Sequence, residues 1–473
     1  MDPNNRELLP NPRRRDALKL ASLGFGWLAL KSLLAESALA QEPQANPLAE
    51  KAPHFPARAK RVIFLSMAGA PSHVDTFDYK PELAAHDGQS VSGKYRAGAV
   101  LMASPWKFAQ RGKSGLWISE LFPELGKRAD RLCLLRGMTT DVPAHPQATL
   151  LQHTGSFQFV RPSLGAWTLY GLGTLNQNLP GFVTIDPAAA QGGAQNYGSA
   201  FLPATFQGLR IGSGRANGRG RRGADEEAVA NIANERYSKE AQRRQLDLLQ
   251  SLNREHARRA HDADEVEGVI DSFELAFRMQ AELPALLDLS KEKPSTLEAY
   301  GIGADETDGF GRKCLVARHL AEAGVRFVEI SHGGWDQHRN LREELPRQCK
   351  EVDRPIAALL DDLEQRGLLK DTLVIWAGEF GRTPYAQNGD GRDHNHKGFT
   401  AWLAGGGVKG GYSHGSTDEN GIEAVDGRMS VPDFHATLLH LLGLDHERLT
   451  YNYAGRDFRL TNVSGAVAAE VLA

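Results

Sequence analysis

KCLVARHLAEAGVRFVEISHGGWDQH (Lys313–His338) carries three signals in a row. Apolar residues at helical spacing run up to Gly324, where a helix is expected to stop. Val325–Ser331 is a short apolar run of strand length. HGGWDQH then puts two histidines and an aspartate within seven residues. The same order recurs in IAALLDDLEQRGLLKDTLVIWAGEFGRTP (Ile356–Pro384): a helix to Gly367, a strand Thr372–Trp376, then a polar segment. Helix, buried strand and polar strand end, repeated in this way, predict a largely parallel sheet covered by helices.

Outward from this unit the pattern extends in both directions. RVIFLSMAGAPSHVDTFD (Arg61–Asp78) opens with a strand Val62–Ser66 and continues into Ser72, His73, Asp75 and Asp78. Open α/β sheets bind ligands at such strand ends. ISELFPELGKRADRLCLLRGMTT (Ile118–Thr140) predicts a helix followed by the strand Leu132–Leu135, and HPQATLLQHTGS (His145–Ser156) a helix or turn. Leu179–Asp186 and FTAWLAGGG (Phe399–Gly407) supply two more strands. VPDFHATLLHLLGLD (Val431–Asp445) is a helix with Pro432 in its first turn and Gly443 as its cap. Residues 190–225 are rich in Gly, Ala and Arg and are expected to loop. Residues 224–290 are charged, with apolar residues at helical spacing, and predict a helical insertion.

The ends of the domain follow from composition. RRRDALKLASLGFGWLALKSLLAESALAQ joins basic residues, an apolar run from Leu18 to Leu34, and Ala38–Ala40. That order predicts a signal peptide over residues 1–40, and Arg14-Arg15-Asp16-Ala17-Leu18-Lys19 fits twin-arginine export to the periplasm or beyond. The apolar run is shorter than the roughly 20 residues a span needs. Residues 41–59 are expected to be a linker, and 60–465 one α/β domain. The net charge of −3 becomes −5 without residues 1–40, so no electrostatic case exists for a nucleic-acid partner. Three cysteines, Cys133, Cys314 and Cys349, lack any C-x-x-C pair and are expected as buried thiols.

Strand ends on one edge of a parallel sheet converge, so their Asp, Glu and His side chains could share a divalent metal. Asp336 and His338 lie two apart and could face one side if the segment is extended. Glu379 follows the strand of the second unit, and His394 follows a glycine-rich loop. His332 and His396 are alternatives that a turn could equally use. Arg382 and Arg392 could clamp an anionic oxygen, or serve as ordinary salt bridges.

The segments GAPSHVDTFDYKP (Gly69–Pro81), HGGWDQH, GEFGRTP (Gly378–Pro384), GRDH (Gly391–His394) and LAGGGVKGGYSHGSTDE (Leu403–Glu419) resemble the DUF1501 family of exported bacterial proteins. That family looks like a branch of the alkaline phosphatase and sulfatase superfamily. VPDFHATLLHLLGL is similar to a helix near the end of sulfatase catalytic domains. The resemblance implies a three-layer α/β/α sandwich, alkaline phosphatase-like, and a metal-dependent hydrolase of a small phosphate or sulfate ester. It implies Asp75, Asp336, His338, Glu379 and His394 as metal ligands, with zinc, manganese or calcium as the ion. His145 falls near the position expected of a nucleophile and is implied as ligand or general base. Arg382 is implied as stabiliser of the substrate's oxygens. Two departures stand out: Glu379 has no histidine beside it, and neither Ser72, Thr139 nor Thr140 is an evident nucleophile. Cys133 lacks the sulfatase context. A ligand-binding or partner-binding protein on the same fold is therefore the alternative.

Overall fold

The computed structural model describes residues 46–91, 98–212, 237–259 and 263–473. The predicted signal peptide, the first part of the linker, and residues 213–236, which hold most of the Arg-rich stretch, lie outside the described residues.

Among the described residues the main sheet has nine strands. In chain order these are β1 (Arg61–Met67), β2 (Leu132–Thr139), β3 (Phe182–Ile185), β4 (Leu209–Ile211), β5 (Phe327–His332) and β6 (Thr372–Ala377). A hairpin outside the sheet, β7 (Gly381–Gln387) and β8 (Gly391–Asn395), comes next. The sheet then resumes with β9 (Phe399–Ala404), β10 (Tyr412–His414) and β11 (Met429–Ser430). The spatial order is β10-β2-β9-β6-β1-β5-β3-β4, with β11 also on β2. All pairings are parallel except those of β9, which runs against both β6 and β2.

Strand alternation sorts the core into two faces. Ile63, Leu65 and Met67 of β1, with Val374 and Trp376 of β6, pack under α4 (Asp308–Glu322) and α5 (Leu341–Gln365). Val62 and Phe64, with Leu373, Ile375 and Ala377, pack under α1 (His145–Thr154), α2 (Leu164–Leu172) and α6 (Val431–Leu441). The strands are buried on both sides, which is why they read as continuous apolar runs. The expected α/β/α sandwich with a largely parallel sheet is present. Three helix stops fall as the glycines indicate. Gly324, Gly367 and Gly443 take φ of 95°, 68° and 77°, a region open to glycine but costly for other residues.

The helical insertion consists of Lys239–Arg259 and Ala263–Leu287, tied by the two-pronged Arg243–Glu274 pair. Leu283 buries in the first core face. No helix among the described residues is long and apolar enough to cross a membrane. Two expectations are corrected. The helix expected within Ile118–Arg131 is one α-helical turn, Pro123–Gly126, and a 3-10 turn, Ala129–Arg131, after a hairpin of Phe108–Arg111 with Leu116–Ser119. The loop expected between Arg382 and Asp393 is the β7–β8 hairpin, turning at Asn388 and Gly389 with φ of 52° and 94°.

Candidate metal centre

Strands β1, β5 and β6 end level with one another: Met67 pairs with His332 and Ser66 with Ala377. The chain leaving each end contributes to one cluster. Beyond β5, the HGGWDQH segment brings Asp336 and His338. Beyond β6, Glu379 is followed by the hairpin that carries His394. His145 enters from the first turn of α1, beyond β2. Two glycines let these backbones meet. A Cβ on Gly69 would lie 2.6 Å from the Asp336 nitrogen, and one on Gly391 would lie 2.0 Å from the His338 carbonyl. No side chain fits in either gap.

His145, Asp336, His338 and His394 each present one donor atom, all within 4.8 Å of one another. Asp336 Oδ1 lies 3.0 Å from His145 Nε2, 2.9 Å from His338 Nε2 and 3.7 Å from His394 Nε2. The Nε2 atoms of His338 and His394 are 2.9 Å apart. A tetrahedral ion with ligands at ~2.0–2.1 Å sets its donors about 3.3 Å apart, and these separations lie on either side of that value.

The outer nitrogens decide what the inner ones can do. His145 Nδ1 donates to Glu379 Oε1 at 2.5 Å, and His394 Nδ1 to the Pro143 carbonyl at 2.7 Å. His338 Nδ1 meets Gln387 Oε1 at 2.5 Å. A carboxylate and a carbonyl can only accept, so Nδ1–H on these imidazoles leaves each Nε2 able to offer its lone pair to an ion; without one, His145 Nε2–H donates to the Asp336 carboxylate. The His338 and His394 Nε2 atoms, 2.9 Å apart, are close enough to share a proton or to flank one ion. The donor set therefore fits a divalent ion of the borderline class that imidazole and carboxylate suit, zinc first.

Charge is distributed to match. Burial acts against a proton on His145, but Asp336 and Glu379 outweigh it and raise its pKa. Burial acts to raise Asp336; His145, His394 and Arg382 overcome it and hold the carboxyl well below the usual range. Phe380 lies against both His145 and His394, with ring centres 4.7 Å away in each case, and walls the apolar side.

The remaining predicted residues lie elsewhere in the network. Glu379 is not in the cluster: it is buried, and its carboxylate accepts from His145 and from the Gly69 N–H at 3.0 Å. Asp75 is not there either. It sits in a one-turn helix, His73–Thr76, fully buried, with Arg392 Nε at 2.6 Å, Arg392 Nη2 at 3.0 Å and Ser72 Oγ at 2.6 Å. Asp75 thus serves a buried ion pair. Arg382 is fully buried and spent on protein groups: Asp336 Oδ1 at 2.6 Å, the Ala70 carbonyl at 3.0 Å and the Gly69 carbonyl at 2.5 Å. It has no open face for a substrate, so the expected clamp is corrected to a brace for Asp336. His332 accepts from Trp335 Nε1 and contacts Glu351, making it a structural histidine. Ser72 is held by Asp75, Thr139 is buried beside Arg428, and the buried Thr140 hydroxyl has no partner. None of these hydroxyls belongs to the cluster. The three cysteines are buried and free, and burial pushes Cys133 up to about 12. The anchors Gln387 and Pro143 escape sequence reasoning, since an amide and a backbone carbonyl leave no motif.

Several solved structures are similar. A lipoteichoic acid synthase, LtaP from Listeria monocytogenes, is 10 % identical with TM-score 0.36, over 87 % of this chain and 78 % of that one. The PsFucS1 sulfatase from Pseudoalteromonas sp. is 12 % identical with TM-score 0.34, over 82 % and 68 %. The alkaline phosphatase from the Antarctic bacterium TAB5 is 10 % identical with TM-score 0.30, over 74 % and 92 %. No curated protein matches the chain in sequence. The family described as "Protein of unknown function (DUF1501)" matches residues 59–472, nearly the whole described domain, and the chain belongs to that family.

Proposed function

We propose that the protein is an exported, metal-dependent hydrolase of a phosphate or sulfate ester. The observation that carries the reading is the convergence of three anchored imidazoles on the Asp336 carboxylate. His145, Asp336, His338 and His394 would hold a divalent ion, zinc in preference to manganese or calcium. A bound ion of this kind supplies Lewis acidity toward an ester oxygen. The chain's own residues prepare the site for it. Glu379, Gln387 and the Pro143 carbonyl fix the imidazole tautomers, Arg382 fixes Asp336, and Phe380 excludes water from one side. With the hydroxyls of Ser72, Thr139 and Thr140 engaged or buried away from the cluster, hydrolysis would proceed by direct attack of water. The same observation favours one second reading, a metal-dependent binding protein without turnover. Residues 1–40 would direct export and be removed after Ala40, so the N-terminus of the secreted chain would begin at Gln41.

Elemental analysis of the purified protein beside His338→Ala tests the metal. Near-stoichiometric ion in the wild type and loss in the variant supports the site; no ion after reconstitution overturns both readings. Assay of the loaded protein on aryl phosphate and aryl sulfate esters then separates hydrolase from binding protein.

A further inference from the structure

Helix α1 starts at His145 in the metal centre and ends at Thr154, about 15 Å away. The chain then passes through Gly155 into FQFVR, Phe157–Arg161. A Cβ on Gly155 would lie 2.1 Å from the Leu460 carbonyl, so glycine lets this loop close on the C-terminal segment. Its neighbour there is a hairpin, Tyr451–Tyr453 with Arg456–Phe458. Arg161 joins the two: its guanidinium lies over the Phe458 ring, 4.2 Å from the centre. Phe201 backs both, stacked on Tyr453 at 5.2 Å and meeting Phe458 at 5.1 Å.

Two features of this surface have no use within the fold. Phe159, Val160 and Val463 are 63, 61 and 78 % exposed, and Tyr453 is half exposed beside them. Single exposed apolar residues are ordinary, but a group on adjoining segments marks a contact surface. The second feature is charge. Arg456 also lies over Phe458, at 4.8 Å, so one ring carries two guanidiniums. Among the described residues no carboxylate neutralises either one. Arg456 donates to the Asn462 amide oxygen, Asp457 is engaged by Asn452, and Glu447 by Arg459. Burial and then the Arg456 charge pull the pKa of Arg161 down. Two like charges held at one ring repel, and an anion between them reverses that cost.

We propose that this surface docks on an anionic phospholipid bilayer, with Phe159, Val160 and Val463 entering the acyl boundary and Arg161 and Arg456 binding lipid phosphate. Apolar tips beside unneutralised guanidiniums match the layering of that interface. A hydrated sugar chain fits less well, because the nearby Asn452, Asp457 and Asn462 are used within the hairpin and its flank. A nucleic-acid strand is opposed by the net charge of −3. The docking does not depend on the metal reading.

The test is vesicle co-sedimentation of the metal-free chain beginning at Gln41, so that residues 1–40 contribute nothing. Phosphatidylglycerol vesicles are compared with phosphatidylcholine vesicles. The expected result is salt-sensitive binding to the first and binding about 25-fold weaker to the second. Arg161→Gln and Arg456→Gln should each weaken binding to phosphatidylglycerol about fivefold, and Phe159→Ser about tenfold. Circular dichroism checks the fold of each variant. Phe159→Trp keeps the anchor and carries the test where a polar variant unfolds: its emission, as a difference from wild type, should shift to the blue on vesicles. No binding to phosphatidylglycerol, full binding by both folded arginine variants, or an unshifted emission from Phe159→Trp would overturn the proposal. Dextran sulfate is titrated in parallel; arginine variants that lose it while holding vesicles as wild type does would overturn the proposal in favour of a polysaccharide site. Because no metal is present, failure here leaves the metal centre untouched, and failure of the metal centre leaves this surface untouched.

Discussion

Replacing Glu379 by glutamine tests whether the anchors of the imidazoles matter as much as the donors. Glu379 touches no ion in the proposed site; its Oε1 accepts the His145 Nδ1–H at 2.5 Å and the Gly69 N–H at 3.0 Å. Glutamine keeps the shape and one accepting oxygen. It removes the charge that favours a basic His145, and it turns an NH2 toward the Gly69 N–H, where Oε2 now sits at 3.3 Å. Loss of such an outer carboxylate weakens metal binding by about 10- to 100-fold, or about 1.4–2.8 kcal/mol. Zinc affinity is to be measured by competition against a chelator of known affinity, with circular dichroism and Tm to confirm the fold. A dissociation constant within threefold of wild type, in a folded protein, would refute the claim that Glu379 sets the tautomer and basicity of His145.

Three further outcomes are expected. Gly391→Ala forces a Cβ into the His338 carbonyl at 2.0 Å, so His338 and His394 are driven apart; zinc binding should fall more than tenfold, and unchanged affinity would show that the approach is not needed. His435 is fully buried, its Nε2 donates to the Gln152 carbonyl and its Nδ1 has no partner; burial pushes its pKa down to about 4. Its neutral form is favoured in the fold, so this contribution is complete above the unfolded pKa near ~6.5 and is lost as pH falls toward 4, about 3 kcal/mol in all; denaturant titrations of His435→Gln should show a shallower acid limb than wild type between those values. Ser430→Ala removes the capping box of α6, in which Ser430 and Asp433 satisfy each other's backbone N–H; the expected cost is about 1 kcal/mol by urea unfolding, and a change near zero would show that Pro432 alone fixes the helix start.

The parts legible in the sequence are those set by local pattern. The runs Val62–Ser66 and Thr372–Trp376 are apolar on both faces because both faces are covered, and glycine marks where α4, α5 and α6 stop. Asp336, His338 and His394 stand out because polar groups crowd the ends of buried strands. What misled is long-range. Asp75 and Arg392 lie 317 positions apart, and no local signal says that a carboxylate near a strand end is already claimed. Arg382 reads as a substrate clamp until its burial is known. The β7–β8 hairpin hides behind Pro384 and the NGDG turn, which look like loop, because its pairing partner and not its composition makes it a strand.

The reversal of β9 has a consequence for how this protein could diversify. A parallel return to the sheet would require a crossover helix of its own. Because β9 runs antiparallel to β6, the segment between Ala377 and Phe399 starts and finishes on neighbouring strands. That segment holds Glu379, Arg382, Gln387, Gly391 and His394, most of what tunes the cluster. It can be transplanted whole from a relative without rewiring the order of strands beneath it, provided Arg382 and Arg392 keep Asp336 and Asp75 as partners. Grafting that one loop-out between two members of the family should move ion preference with it while the host sheet stays as it was.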